Sequence, residues 1–322
     1  MRLPVPKALR NRLKPTPQWL AITLQSPQTP VRVTVETRGA EIDVTDNNSI
    51  AALHPLTIRL GLDAPLGATV QREREISLRF VDRTIDRTLG RLQLTYLREW
   101  RTAGARLGLF EVTGGRHRCA GWPRRAWDTW MYERAARHIP PERQLMPPAA
   151  VEQLMVFNLC PRPVFFVAVD DGRNSNLFPM DLVGPMAPEH FTLALRNTSP
   201  SVATIKSARR LVIADVPGDA AQIAHRLGAH HREQNINFES LPFEVRLSQR
   251  FSLPVPTIAA RAREIELLDF QTVGSHTLFV GRICTEQVLG SGACLFHTSG
   301  IHQRFRAKGG RAFDEASLTT AG

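Results

Sequence analysis

The sequence predicts a mainly β protein with short helices, whose second half forms a small β-barrel. Short apolar or alternating segments recur along both halves, as strands require. Clusters of Gly, Pro, Asp and Asn separate these segments and mark turns. Few helix-like stretches interrupt the strands, so they do not alternate with helices as in a doubly wound sheet. A chain of 322 residues is long enough for two domains, and we place their boundary near residue 150.

Residues 1–150 are predicted to form a β-rich, basic N-terminal domain. Residues 1–30 carry several prolines and little periodicity, so we expect an arm or loop there. Val31–Glu36 alternates apolar and polar residues, as a half-buried strand does. A turn at 46–49 is indicated by its Asp, Asn and Ser residues. The other strand candidates of this half are 41–46, 56–62, 76–81, 92–97 and 107–112, and no internal repeat is evident.

Charge is concentrated in the first half of the chain. Residues 1–150 hold 24 Lys and Arg against 14 Asp and Glu, a net charge of +10, whereas residues 151–322 hold 17 against 16, a net charge of +1. A basic domain can dock nucleic acid or an acidic partner. The arginines are scattered rather than clustered, however, so a solvated surface is the favoured interpretation and nucleic-acid binding is not expected.

A tryptophan-rich helix is predicted before the boundary. Trp122, Trp127, Trp130 and Tyr132 lie in a helix-like stretch that ends before the Pro-Pro pair at 140–141. Such a group can stack on bases or a ring ligand, or line a substrate site between the two halves. It more commonly packs a helix against a neighbouring domain. A second short helix is predicted over 149–157.

Cysteine usage and hydropathy limit the class of protein. The four cysteines form no C-x-x-C pair and no zinc-like cluster with histidine, so we expect no metal site. No apolar run approaches the ~20 residues that a membrane helix needs. The N-terminus lacks the apolar segment of a secretory signal, so a cytoplasmic location is expected.

The second domain is predicted to span residues 151–296. A buried strand at 164–169 runs into an Asp-Asp-Gly turn at 170–172, and the chain leaves that turn as a strand that the Gly-Pro pair at 184–185 ends. A helix is predicted over 219–231 from its one apolar face. Polar residues 297–322 are expected to form a loose tail. The remaining strand candidates are 191–195, 210–216, 253–266 and 277–283.

A phosphate-binding seat is predicted where the strand 191–195 meets a short helix over 200–208. Ser199 stands where a helix N-cap belongs and Pro200 where the first helical residue belongs. A helix start offers free backbone N–H groups and the positive end of its dipole. With Arg196, Thr198 and Ser201 beside it, this turn can hold a phosphate, although an ordinary capped helix gives the same pattern.

Four segments in this order and spacing resemble the flavin reductase-like family, the FMN-binding split barrels. They are RPVFFVAV at 162–169 with the Asp-Asp-Gly turn, NLFPMDLVG at 176–184, FTLALRNTSPS at 191–201 leading into IKSARRLVIA at 205–214, and GSHTLFVGR at 274–282. The last is the most specific. The resemblance covers residues from about 160 to 290, and residues 1–150 resemble no family that we recognise.

The resemblance implies FMN as cofactor, NAD(P)H as co-substrate and a homodimer with each flavin near the subunit interface. It implies that the flavin ring and ribityl chain contact Ser175, Asn176, Leu177, Phe178, Pro179 and Met180. It places the phosphate at the predicted seat, with Arg196, Asn197, Thr198, Ser199, Ser201 and Lys206. His276 matches a histidine that lies near the flavin or nicotinamide and is the catalytic candidate, with a structural histidine at a strand end as the equal alternative.

Two functions are consistent with these features. The first is an oxidoreductase that transfers a hydride from NAD(P)H to FMN, a reaction in which the cofactor carries the chemistry and no protein acid or base is required. The bulky run Leu177 to Met180 departs from the small residues of many reductases and narrows the nicotinamide slot. The alternative is a non-catalytic FMN-binding or sensing module whose basic N-terminal half docks a protein or nucleic acid, because a shared fold does not fix a reaction.

Overall fold

A computed structural model describes residues 14–25, 29–37, 41–139, 146–186 and 189–316. Residues 1–13 of the arm predicted over 1–30, and residues 317–322 of the predicted tail, lie outside the described residues. The chain is mainly β, as the sequence predicted.

The N-terminal half forms a seven-stranded antiparallel sheet. After β1 (Leu20–Leu24), its elements are β2 (Val31–Glu36), β3 (Glu41–Asp43), β4 (Asn48–Leu53), β5 (Leu56–Gly61), α1 (Ala64–Arg72), β6 (Glu75–Asp82), β7 (Arg87–Thr102) and β8 (Ala105–His117). The sheet order is β3-β2-β6-β7-β8-β5-β4. The structure confirms the strand candidates of this half. It differs at the turn predicted over 46–49, because β4 already begins at Asn48.

Two helices follow the first sheet; the second helix packs on the sheet, and the first helix packs on the second. They are α2 (Trp122–Ala136) and α3 (Pro148–Phe157), close to the two predicted helices. The apolar residues of α3 are buried in the core of the first sheet, among them Val156 and Phe157. Among the tryptophans of α2, the ring centroids of Trp127 and Trp130 lie 5.1 Å apart with the rings tilted by 39°, and Trp122 is 72% exposed.

The C-terminal half forms a second seven-stranded antiparallel sheet, curled into a half-barrel. Its elements are β9 (Arg162–Pro163), β10 (Phe165–Asp170), β11 (Ser175–Met180), β12 (Val183–Pro185), β13 (His190–Arg196), α4 (Ser201–Ala208), β14 (Arg210–Asp215), α5 (Ala221–Leu227), β15 (Val245–Leu247), β16 (Pro254–Pro256), β17 (Arg261–Val273) and β18 (His276–Val288). The sheet order is β11-β10-β14-β17-β18-β13-β12.

Three predicted elements of this half differ in the structure. The strand candidate 253–266 is divided by residues 257–260 into β16 and the beginning of β17. The Gly-Pro pair at 184–185 does not end the sheet, because Val183, Gly184 and Pro185 pair with β13 as its edge strand, a position that tolerates proline. The predicted helix at 219–231 is divided into a 3-10 turn at Gly218–Ala220, the α-helix α5 and a second 3-10 segment at Gly228–Arg232.

Both ends of the described chain are folded against the rest of the molecule. After β19 (Cys294–Thr298) come α6 (Gly300–Lys308) and β20 (Asp314–Glu315), and a small sheet has the order β20-β1-β19-β9. Residues 297–316 are therefore ordered structure rather than a loose tail, and 20–24 is a strand rather than an arm. The cause is long-range pairing: Leu20–Leu24 bonds β19, and Ile301 of α6 is buried in the core of the first sheet.

An apolar interface joins the two halves. Leu107 and Leu109 of β8 pack in one cluster with Leu278 and Val280 of β18, and all four are almost fully buried. At the centre of this interface Arg59 is fully buried and hydrogen-bonded to residues of both halves. The two sheets therefore share a core, and residue 150, near which the sequence predicted a domain boundary, lies within α3, which packs on the first sheet.

Candidate functional site

The predicted phosphate seat has an unexpected hydrogen-bonding pattern. Helix α4 begins at Ser201, and the residue before it is Pro200. The Ser199 hydroxyl does not cap the helix but donates to the carbonyl of His231, at 2.8 Å. His231 belongs to the 3-10 segment Gly228–Arg232, which thus lies directly against the seat.

The same segment takes the donors of the neighbouring strand. The side-chain amide of Asn176 donates to the carbonyls of His230 at 2.9 Å and Glu233 at 2.8 Å, and also contacts the Ser201 hydroxyl at 3.1 Å. The ring of His230 in turn contacts the carbonyl oxygen of Leu177 at 3.0 Å. Asn176 and Ser199 therefore fix the 3-10 segment Gly228–Arg232 as a wall. The donors of these two side chains are used within the protein, whereas the buried Oδ1 atom of Asn176 has no hydrogen-bond partner among the described residues.

A cavity of about 390 Å³ opens beside this wall. We call it the Arg196 cavity. It brings together three residues that the sequence predicted for cofactor binding, namely Pro179, Met180 and Arg196. The other lining residues are Trp19, Ala21, Val164, Asp181, Ala221, Ala224, His225, Gly228, His231, Leu295 and His297.

One end of the Arg196 cavity is cationic. Burial, and then the positive charge of Arg232, lower the pKa of Arg196 from its usual value. Within the described parts of the chain no carboxylate forms an ion pair with Arg196. His225 and His231 line the same cavity and add two groups that can donate hydrogen bonds. This end of the cavity is therefore suited to an anionic group.

The cavity lining also includes aromatic and apolar groups. The ring centroids of Trp19 and His297 lie 4.4 Å apart with the rings tilted by 31°, and the Nδ1 atom of His297 contacts a carboxylate oxygen of Asp181 at 2.8 Å. Alanine and leucine side chains from β1, α5 and β19 complete the floor. Trp19 and His297 were missed by the sequence analysis because they lie in the segments predicted as an arm and a tail.

The other predicted cofactor residues lie outside the cavity lining. Leu177 and Phe178 are buried, one in each of two apolar clusters of the second sheet. Lys206 lies in the last turn of α4, where its ammonium stands 4.6 Å from the centre of the Phe270 ring. Three predicted residues remain. Ser175 is hydrogen-bonded to Asn235, and Asn197 is hydrogen-bonded to Gly274 and Thr277. Thr198 is exposed.

His276 is buried between the two halves rather than in the cavity. It is 2% exposed, and its Nδ1 atom lies 2.8 Å from the Ser275 hydroxyl and 3.5 Å from the backbone N–H of Leu53. Burial, and then the charge of Arg196, lower the pKa of His276 to about 4. A neutral imidazole held in this way fits the structural alternative better than contact with a cofactor.

A larger cavity of about 520 Å³ lies between the halves. The buried Arg162 lines it, with its guanidinium 4.0 Å above the Phe157 ring and 2.6 Å from the Asn48 side-chain oxygen. At the other side, Arg263 is neutralised by Asp215 at 2.9 Å and Glu286 at 2.7 Å. None of the sequence-predicted site residues lines this cavity.

Among the residues that the structure describes, no three or more His, Cys, Asp or Glu side chains are grouped to hold a metal ion. The described part of the chain also has no helix with the length and apolar character to cross a bilayer.

Residues 157–303 match a family model described as "Flavin reductase like domain". No curated protein matches the chain significantly. Similar solved structures include an FMN-binding protein from Thermus thermophilus with bound p-hydroxybenzaldehyde (25% identity, 40% of this chain and 72% of that chain, TM-score 0.36). Another is the Streptomyces globisporus C-1027 NADH:FAD oxidoreductase (17% identity, 50% and 95% coverage, TM-score 0.42). A third is a flavoredoxin from Methanosarcina acetivorans (14% identity, 40% and 69% coverage, TM-score 0.34).

Proposed function

We propose that the flavin reductase-like domain at residues 157–303 binds FMN in the Arg196 cavity and that the protein transfers a hydride from NAD(P)H to the bound flavin. The observation that carries the proposal is the meeting of Pro179, Met180 and Arg196 in one cavity. These residues come from two different motifs of the family resemblance. The family match supports a flavin-related oxidoreductase.

The residues of the cavity fit the chemistry of FMN. Its volume of about 390 Å³ lies within the range of about 300–1,000 Å³ that is usual for ligand sites. FMN has a flat aromatic end and an anionic phosphate end. The aromatic rings of Trp19 and His297 suit the first, and the guanidinium of Arg196 suits the second.

Arg196 is the main phosphate ligand in this proposal. A charge-assisted hydrogen bond from a guanidinium to a phosphate contributes about 1.5–3 kcal/mol. His231 and His225 are the neighbouring donors, whereas Ser199 and Asn176 hold the 3-10 segment that forms the wall. This arrangement replaces most of the hydroxyl contacts that the sequence predicted for the phosphate.

Bound FMN supplies the hydride acceptor, and the protein's residues position it. Only Pro179 and Met180 of the bulky run 177–180 line the cavity, whereas Leu177 and Phe178 are buried in the second sheet. Water is kept from one side by the apolar residues of α5, among them Ala221 and Ala224. Because His276 is buried elsewhere, no step in this proposal depends on it.

The test is the visible spectrum of the purified protein, reconstituted with FMN where needed, before and after anaerobic addition of NADH and then NADPH. We expect bound-flavin absorbance that bleaches with at least one nicotinamide faster than free FMN does under the same conditions. Bound flavin that stays oxidised with both would support the non-catalytic FMN-binding module. Failure to bind FMN at all would contradict both functions.

A further inference from the structure

The two seven-stranded sheets have the same topology. In chain order, the strands β2 to β8 of the first sheet correspond one by one to the strands of the second sheet, which are β10, β11, β12, β13, β14, β17 and β18. With this correspondence, the two sheets have the same spatial order of strands. All the pairings are antiparallel in both sheets. A helix also lies between the corresponding strands: α1 follows β5, and α4 follows β13.

The register identifies equivalent residues. The hairpin β7–β8 closes with the pair Thr102 and Ala105, and the hairpin β17–β18 closes with Val273 and His276. Leu109 lies four residues after Ala105, and Val280 lies four residues after His276, so Leu109 and Val280 are equivalent. Arg59 is the strand partner of Leu109, and Thr192 is the strand partner of Val280. Arg59 and Thr192 are therefore equivalent as well.

Equivalent residues meet at the centre of the interface. The Nε atom of Arg59 lies 2.8 Å from the hydroxyl of Thr192. Ser49, the strand partner of Arg59, accepts a bond from Arg59 at 2.9 Å, and Gly184, the strand partner of Thr192, accepts another at 3.0 Å. Contact between equivalent positions is what a two-fold axis produces.

The hairpin tips show the same reciprocity. Gly104, in the tip of β7–β8, lies so close to His190 that an added Cβ would be 3.5 Å from its ring. Gly274 and Ser275, in the tip of β17–β18, contact His54, whose carbonyl accepts from the Ser275 N–H at 2.8 Å. Each hairpin thus reaches the beginning of the fourth strand of the other sheet in chain order, which is β13 or β5.

We infer that the N-terminal half is a second copy of the barrel fold and occupies the position of a partner subunit. The interface is isologous, as in a two-fold dimer, but both of its sides belong to one chain. The apolar residues that such an interface needs are already buried against each other, as Leu107 and Leu109 are against Leu278 and Val280. The chain is therefore a pseudo-dimer that is complete as a monomer.

The N-terminal copy differs from the C-terminal copy at the position of the Arg196 cavity. Its own cavity there is smaller, about 220 Å³, and is lined by Leu62, Gly67, Val70, Arg74, Tyr96 and Glu99. Counting from Arg59 and Thr192 places Asp63 where the C-terminal copy has Arg196, and a carboxylate repels a phosphate. The strands β6 and β7 are joined by residues 83–86 alone, whereas residues 216–260 separate β14 and β17. That longer connection supplies the cavity wall with α5 and His231. This point rests on the proposed function and gives one FMN per chain.

A pair of engineered cysteines tests the inference directly. His54→Cys with Ser275→Cys replaces two residues that touch across the interface and are at least partly exposed. After mild oxidation and denaturation without reductant, we expect a disulfide within one chain, at the mass of a single chain, 36.0 kDa. A bond between two chains, or two thiols that stay free in the folded protein, would overturn the inference.

The controls separate this test from the flavin proposal. Each single variant should form no new bond, which accounts for the four native cysteines. Light scattering of the unmodified protein should give the mass of one chain, and a stable mass of two chains would contradict a complete pseudo-dimer. These measurements do not depend on flavin, so they can support the pseudo-dimer even if the protein binds no FMN. Two bound FMN per chain would contradict the proposal of one FMN site per chain.

Discussion

Arg196 shows how far the sequence determines the site at the scale of single residues. The family motif and the strand-to-helix turn both indicated a cation at this position, and the structure places it in a cavity with Pro179 and Met180. The hydroxyl of Ser199 was predicted as a phosphate ligand. It donates to the carbonyl of His231 instead, 32 residues away along the chain. Such a long-range partner has no local signal in the sequence.

Replacing Arg196 with Ala should weaken FMN binding by about 10- to 100-fold, because a charge-assisted bond of about 1.5–3 kcal/mol is lost. Fluorescence titration of the apoprotein with FMN measures the dissociation constant. Arg226→Ala is the matched control, because Arg226 is exposed on α5 and does not line the cavity. Equal affinities of the Arg196 variant and the unmodified protein would remove the phosphate assignment.

At the scale of elements, periodicity identified the strands that have one apolar face and missed those stabilised by distant polar partners. Asn48 and Ser49 resemble turn residues in the sequence, yet they begin β4. Arg162 bonds the side chain of Asn48, and Arg59 bonds that of Ser49. Likewise β1 exists because it pairs with β19, whose sequence looked like a polar tail.

Arg59→Ala should lower the free energy of unfolding by about 3 kcal/mol, because it empties a fully buried site and leaves the carbonyls of Gly184 and Pro185 without their donor. Urea unfolding followed by circular dichroism measures this loss. Arg91→Ala is the control: Arg91 is half exposed and pairs with Glu36 at 3.2 Å, so its loss should cost less than about 1 kcal/mol. Similar costs for both variants would show that the buried arginine does not hold the halves together.

At the scale of the whole molecule, the sequence indicated two β-rich parts but not their relationship. No repeat was evident because the copies share strand order and register rather than many residues, and because residues 216–260 interrupt one of them. Two buried histidines lie outside the lining of the Arg196 cavity. His276 lies between the halves, and His302 of α6 is fully buried.

Acid should destabilise the protein before its carboxylates titrate. Burial lowers the pKa of His117 and His276 to about 4 and that of His302 to about 3. Between these lowered pKa values and about pH 6.5, the unfolded chain binds more protons than the folded chain. The free energy of unfolding therefore falls as the pH drops through this range, by up to about 2 kcal/mol per histidine at pH 5. Urea unfolding at pH 7 and pH 5 measures the difference. His138→Gln, at an exposed site, should leave the difference between the two pH values unchanged, and His276→Gln should make that difference smaller. An unfolding free energy that is the same at both pH values would contradict this assignment.

Native mass spectrometry of the FMN-loaded protein tests the central claim most directly, because it counts chains and flavins together. We predict one chain of 36.0 kDa carrying one FMN. A species with two chains would contradict the pseudo-dimer, two FMN per chain would contradict the loss of the N-terminal site, and a chain that retains no FMN would contradict the assignment of the Arg196 cavity.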